Sequence, residues 1–277
     1  MNHLPGKFVW FEHMSEDIDR ARAFYEPLFG WQTQEMPVGQ QTYHVILNGS
    51  DPIGGFRSAP AGMPSHWASY LSVPDVDVSY AATLAAGATS LQAPADHGAV
   101  GREAAVADPS GAALSLWKGV DDDRPDTDRI AIGDWYWNEL WTNDSDKALA
   151  FYEKVFGYTT DAMDIGPMGT YYLLKKDDRM RAGVMQSPNA AAPSMWLPYV
   201  HVADCDASTA HAERLGAQTI VPPSDIPGVG RFSVFFDPQR APIAIIKGLE
   251  AEVKAEAEPA SSLLHSIGAE LGLTHGI

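Results

Sequence analysis

The stretch WFEHMSEDIDRARAFYEPLFGW, residues 10 to 31, returns as WNELWTNDSDKALAFYEKVFGY, residues 137 to 158, and this repeat decides the architecture. One constant offset superposes Trp10 on Trp137, Glu12 on Glu139, Asp17 on Asp144 and Phe24-Tyr25 on Phe151-Tyr152. With one or two inserted residues the match continues. TYH (42–44) meets TYY (170–172), and PSHWASYLSVPDVD (64–77) meets PSMWLPYVHVADCD (193–206). Gly101-Arg102, Asp108-Pro109 and Lys118-Gly119 find counterparts in Gly230-Arg231, Asp237-Pro238 and Lys247-Gly248.

Each half divides again. Residues 8–13 alternate as a short strand, Ser15 is positioned to cap a helix, and Glu16 and Asp17 suit the positive end of its dipole. Ile18, Ala21, Tyr25 and Leu28 follow at helical spacing until Gly30, and three short strands come next, near 33–36, 42–47 and 53–57. A strand at 68–73, a helix at 76–86 and strands near 90–92, 102–107 and 113–117 repeat that order. The chain is therefore expected to be α+β, with a β-α-β-β-β unit used four times. The expected organisation is a first domain at 1–120, a linker at 121–130, a second domain at 131–249 and an acidic tail at 250–277. The linker DDDRPDTDR reads as a solvated charge run, and the tail as low-complexity with one short helix.

Composition narrows the function. Nineteen Lys and Arg against thirty-six Asp and Glu give a net charge of −17, which repels phosphate backbones and anionic headgroups. Nucleic acid and membrane partners are not expected. No apolar run reaches the roughly 18 residues of a membrane-spanning helix, and the N-terminus does not read as a signal peptide, so a cytoplasmic location is expected. Cys205, the single cysteine, rules out an intrachain disulfide and reads as a small residue in the turn ADCDAS. No phosphate loop, dinucleotide fingerprint or Ser-His-Asp order is visible.

With AFYEPLFGW and AFYEKVFGY ending the odd-numbered helices, and ADPSGAALSLWKG and FDPQRAPIAIIKG closing the even-numbered units, the chain resembles the vicinal oxygen chelate superfamily. This is the family of glyoxalase I, bleomycin-resistance proteins and extradiol dioxygenases. The layout is similar to its tandem two-domain glyoxalase-like branch, which includes a secreted mycobacterial antigen of similar size. The resemblance implies that each pair of units makes one eight-stranded, partly open cup, with small molecules bound inside. Metal-dependent members place ligands at positions that correspond here to Trp10, Gly55, Ala68 and Ser115, and to Trp137, Val184, Leu197 and Ala244. These are not side chains that chelate a divalent metal, Ser115 weakly excepted, so no metal and no cofactor is expected.

Glu12 and His13 lie side by side, but strand alternation puts Glu12 on the Trp10 face and His13 on the other. A displaced site from Glu12, His44 and His66 is the one metal alternative, while His97 reads as satisfied or solvent-facing. The pairs Trp10/Glu12 and Trp137/Glu139 are the expected centres of the cups. Each Trp is either a stacking wall or a plug in the place of a metal ligand; each Glu is either a base or a structural acceptor. Arg102 and Arg231 are candidates to hold an anionic ligand or to pair with Glu12 and Glu139, the alternative being an ordinary salt bridge. One residue from each of Tyr43/His44 and Tyr171/Tyr172 should face inwards, with His44 and Tyr172 taken as the candidates. Gly54, Gly55 and Gly183 are expected to leave room for a flat or short ligand.

Two functions follow. One is a metal-free binding protein holding a small organic molecule in aromatic-walled cups, as a monomer or weak homodimer. The other is a glyoxalase-like or hydroxylase-like enzyme on a small carbonyl compound, with a displaced metal or with Glu12 and Glu139 as catalytic bases.

Overall fold

The computed structural model describes residues 2–38, 41–165 and 169–249, so the expected tail helix lies outside the described residues. The first half runs β1 (Phe8–Ser15), α1 (Ile18–Phe29), β2 (Gln32–Val38), β3 (Gln41–Asn48), β4 (Asp51–Ser58), β5 (His66–Ser72), α2 (Val76–Ala85), β6 (Thr89–Asp96), β7 (Gly101–Ala107) and β8 (Ala113–Gly119). The second half repeats it as β9 (Trp135–Thr142), α3 (Ser145–Phe156), β10 (Thr159–Asp164), β11 (Thr170–Lys176), β12 (Arg179–Gln186), β13 (Met195–His201), α4 (Cys205–Arg214), β14 (Gln218–Ile226), β15 (Gly230–Phe236) and β16 (Pro242–Gly248).

The helices start where an aspartate can accept an otherwise orphaned amide. Asp17, Asp75, Asp144 and Asp204 cap the four helices, accepting from the amides of Arg20, Val78, Lys147 and Ala207. Ser15 is therefore not the cap: it ends β1, and its hydroxyl accepts from the Asp17 amide and donates to Gln239. Gly30 and Gly157 end α1 and α3 in the left-handed region, at φ 71° and 67°.

Each half makes one open sheet, in the orders β2-β3-β4-β1-β5-β8-β7-β6 and β10-β11-β12-β9-β13-β16-β15-β14. The sheets do not close into barrels. In the first, β1 runs parallel to β4 and antiparallel to β5, which runs parallel to β8. The register sets Glu12 opposite Gly55 on one side and Ala68 on the other, and Tyr70 opposite Ser115. Glu139 stands between Gly183 and Leu197 in the second sheet.

The cores join the halves rather than separating them. Phe24, Tyr25 and Leu28 of α1 share one apolar cluster with Val200, Cys205, Phe235 and Ile243 of the second half. Leu71, Val73 and Leu114 share another with Phe151, Tyr152 and Trp196. The first unit thus packs on the fourth, and the second on the third. Cys205 is the buried first residue of α4, 1% exposed, so ADCDAS leads into a helix rather than forming a turn throughout.

At the centre of each shared core a tyrosine from one sheet meets an aspartate from the other. Tyr25 donates to Asp237 Oδ2 at 3.0 Å and accepts from Trp67 Nε1 at 2.9 Å. Tyr152 donates to Asp108 Oδ2 at 2.9 Å and accepts from Trp196 Nε1 at 3.0 Å. Oδ1 of each aspartate holds its own turn, Asp237 accepting the amides of Gln239 and Ala241, and Asp108 those of Ser110 and Ala112. His13 is fully buried on this helix-facing side, as strand alternation requires, with Nε2 3.0 Å from Asp237 Oδ2; Leu140 stands in its place in the repeat.

The charge run at 121–130 is mostly exposed, and several of its aspartates have partners. Asp122 and Asp123 accept from the amides of Asn2 and Leu4, Asp126 pairs with Lys7 and Arg181, and Asp128 pairs with Arg179. These aspartates reach partners on both halves while the run stays largely exposed.

Replacing Tyr25 or Tyr152 by Phe leaves a buried carboxylate oxygen and an indole N–H short of a partner. Each substitution is expected to cost about 1–3 kcal/mol, read by denaturant unfolding of the whole chain. A loss indistinguishable from that of Tyr80→Phe, whose exposed hydroxyl meets only Ser90 at 2.6 Å, would show that the crossings contribute nothing special.

Candidate functional site

The inner face of each cup is lined by alternate residues of its strands. On β1 these are Trp10, Glu12 and Met14; on β9, Trp137, Glu139 and Trp141. A Trp and a Tyr close the floor the same way in both. Trp10 Nε1 donates to the Tyr43 hydroxyl at 2.9 Å, and Trp137 Nε1 to the Tyr171 hydroxyl at 2.8 Å. A Cβ at Gly55 or Gly183 would collide with those hydroxyls, so these glycines make room for tyrosine and not for a ligand. The inward residues are therefore Tyr43 and Tyr171, while Tyr172 packs on a helix-side core and His44 lies 3.9 Å from Glu35. The candidates His44 and Tyr172 are corrected accordingly. The internal repeat held the signal, since Tyr occupies position 43 and its partner 171, whereas 44 and 172 differ.

Arg102 and Arg231 do not reach the cups either. Arg102 pairs with Asp77 at 2.7 Å and Asp96 at 2.8 Å, and Arg231 with Asp206 at 2.6 Å and Asp225 at 2.9 Å. Asp77 and Asp206 sit in the first turns of α2 and α4, so both arginines tie a strand to a helix on the helix side of the sheet, away from the cups.

Beyond the shared floor the cups diverge. Glu12 Oε2 accepts from the Tyr70 hydroxyl at 2.8 Å and lies 2.8 Å from Arg57 Nε. Arg57 Nη2 donates to the Tyr70 hydroxyl at 3.2 Å, and Nη1 lies 3.9 Å from Glu103 Oε2. That same Glu103 oxygen is 2.8 Å from His97 Nε2, and Oε1 accepts from Ser115 at 2.9 Å. His97 is thus ion-paired at the rim. Burial raises the Glu12 pKa against the opposing pull of Arg57, whereas His97, Arg57 and Ser115 together hold Glu103 below its ordinary value despite its own burial.

In the second cup the register puts Met185 where Arg57 stands, Phe232 where Glu103 stands and Ala244 where Ser115 stands; Ile226, the last residue of β14, corresponds to His97, which follows β6. Glu139 keeps only neutral donors, Trp141 Nε1 at 2.5 Å and the Tyr199 hydroxyl at 2.9 Å. Around it Trp141, Leu197, Tyr199, Val234, Ala244 and Ile246 form an apolar cluster of their own. Desolvation, opposed by hydrogen bonds from Tyr171, Trp141 and Tyr199, raises the Glu139 pKa.

The donor set does not fit the metal of the chelate family. Arg57 occupies the space between the first cup's two carboxylates, and Glu139 has Gly183, Leu197 and Ala244 for neighbours. His44 faces away from Glu12, His66 Nδ1 is bound to the Pro64 carbonyl region at 2.9 Å, and no group of three or more His, Cys, Asp or Glu is arranged for a metal among the described residues. A further concavity of about 510 Å³ lies where β1, β9 and the linker meet. Its cations Lys7, Arg124, Arg179 and Arg181 are all spoken for by aspartates.

Comparison with known proteins defines the class. A glyoxalase-like domain model matches residues 10–117, and one for the glyoxalase/bleomycin resistance protein/dioxygenase superfamily matches residues 132–245. The chain is 36% identical over 251 residues to "Putative glyoxylase CFP32" of Mycobacterium tuberculosis, covering 88% of this chain and 96% of the relative. It is 30% identical to the anthracycline biosynthesis protein DauV of Streptomyces sp. (strain C5), covering 89% and 95%. The chain belongs to the glyoxalase/bleomycin-resistance/dioxygenase superfamily, with two such domains in tandem. Among solved structures it shares the fold of the Mn(II)-bound glyoxalase from Novosphingobium aromaticivorans (TM-score 0.62, 17% identity, 89% of this chain and 83% of that one). It also shares that of 2,2',3-trihydroxybiphenyl 1,2-dioxygenase from Sphingomonas wittichii (TM-score 0.60, 14% identity, 89% and 90%).

Because the folded state binds the Glu139 proton more tightly than the unfolded chain, this group favours folding below the ordinary glutamate pKa. That contribution is lost as pH rises through the raised folded value. Glu139→Gln is therefore expected to fold and to lose less stability than the parent between acid and neutral pH, measured by unfolding across that range. Extensive unfolding of the variant would show that the charged carboxylate is structural.

Proposed function

We propose that the chain binds a small, flat organic molecule in an aromatic-walled cup without the chelated metal of its family, and that the first cup is the principal site. The observation that carries this is the contrast between the two cups on a common floor. The second is filled by an apolar cluster around Glu139, whereas the first keeps a polar cluster whose Arg57 and His97 side chains remain 29% and 28% exposed. Ligand sites in proteins pair apolar walls with a few placed polar groups, which is the composition of the first cup. The relationship to an anthracycline biosynthesis protein fits a flat aromatic ligand.

The enzymatic alternative loses its first candidates for the base. Glu12 and Glu139 are 2% and 6% exposed and their oxygens accept from Tyr70, Trp141 and Tyr199, so a substrate proton meets other groups first.

Metal analysis of the purified chain, followed by an assay on the methylglyoxal–thiol adduct with and without divalent ions, tests this reading. Substoichiometric metal and no metal-stimulated turnover are expected. Stoichiometric metal together with turnover that a chelator abolishes would overturn it.

A further inference from the structure

We infer that the first cup selects a small organic acid, taking its carboxylate on the free edge of Arg57 with His97 beside it, while the second cup offers no counter-ion for one. This rests on the small-molecule reading above and narrows it.

A guanidinium carries five N–H donors in a planar fork, and the fork matches a carboxylate when two parallel donors are free. In Arg57, Nε donates to Met14 Sδ at 3.5 Å while lying 2.8 Å from Glu12 Oε2 as an ion pair, and one Nη2 proton goes to Tyr70. Nη1 stands 3.9 Å from Glu103, beyond hydrogen-bond reach, so the Nη1/Nη2 edge has no hydrogen-bonded acceptor among the described residues that uses it up. Burial layers the cluster in the same sense. The Glu12 and Glu103 side chains are each 3% exposed, beneath the more exposed Arg57 and His97. A ligand entering from solvent meets the two cationic side chains first and the carboxylates behind them.

Both side chains are held in place before any ligand arrives. Glu12 and Tyr70 fix Arg57, while Glu103, itself fixed by Ser115, fixes His97; the two converge on one Glu103 oxygen. The hydrogen bond to Glu103 raises the His97 pKa above the usual imidazole value against a lowering by burial and by Arg57, which favours the charged form. Trp117 supplies a flat wall, its ring 6.3 Å from that of His97 and 6.0 Å from that of Tyr70. In the second cup Met185, Ile226 and Phe232 hold these places, so a carboxylate there would be desolvated without a counter-ion.

Benzoate and its neutral analogue benzamide, titrated calorimetrically into the full chain, separate the possibilities. Benzoate is expected to bind at least about tenfold more tightly than benzamide. Arg57→Lys keeps a charge beside Glu12 but loses the fork, and should weaken benzoate about tenfold, more than it weakens benzamide. His97→Gln, in a loop outside the sheet, should weaken benzoate in a fold that stays intact. Equal affinity for the two probes, or benzoate binding indifferent to both substitutions, would overturn the preference for acids and leave the small-molecule reading standing. Failure of both probes and of a wider set of flat aromatic compounds to bind would overturn the two together.

Discussion

Everything in this molecule is organised around a hydrogen bond made twice, from a helix tyrosine in one sheet to a turn aspartate in the other. Tyr25 reaches Asp237, and Tyr152 reaches Asp108. All four groups are buried, and a buried hydroxyl or carboxylate without a partner costs far more than the bond itself supplies. The geometry that satisfies them is one in which the first unit lies on the fourth and the second on the third. That arrangement turns the helix side of each sheet inwards to a shared core and leaves the opposite faces as two cups.

Duplication supplied both cups with the same floor: Trp, Glu, Tyr and a glycine beneath the tyrosine hydroxyl. What differs is layered on it. Arg57, His97, Glu103 and Ser115 in the first cup have Met185, Ile226, Phe232 and Ala244 as counterparts in the second. Polar groups in the first form a charged chain from Glu12 through Arg57 and Glu103 to His97, with the Nη1/Nη2 edge of Arg57 left open. The second has a single carboxylate under apolar cover, which burial drives towards its protonated form. The two domains thereby have unequal chemistry, with a guanidinium between the carboxylates of one cup and apolar packing around the single carboxylate of the other.

The repeat, the four β-α-β-β-β units and the turn of His13 away from the cup were all legible in the sequence, because strand alternation and helical spacing are local. The helix start was misplaced by two residues, since Ser15 and Asp17 both qualify as caps and only the end of β1 decides between them. The site was less legible. Whether Tyr43 or His44 faces inwards depends on the register between β3 and β4, and the inward role of Gly55 depends on the same register. Arg57, Glu103 and His97 come from three separate elements with no common motif, and they become a cluster only when β1 and β5 bring the outer strands of the sheet together. Arg102 attracted attention by its place after a glycine at a strand start, but its parity sends it to α2. The partner of Asp237 lies 212 residues away in Tyr25, beyond any pattern along the chain.

If the buried crossings make the two halves one folding unit, differential scanning calorimetry of the whole chain should show a single transition whose calorimetric and van't Hoff enthalpies agree. Two separated transitions, one for each sheet, would contradict the account.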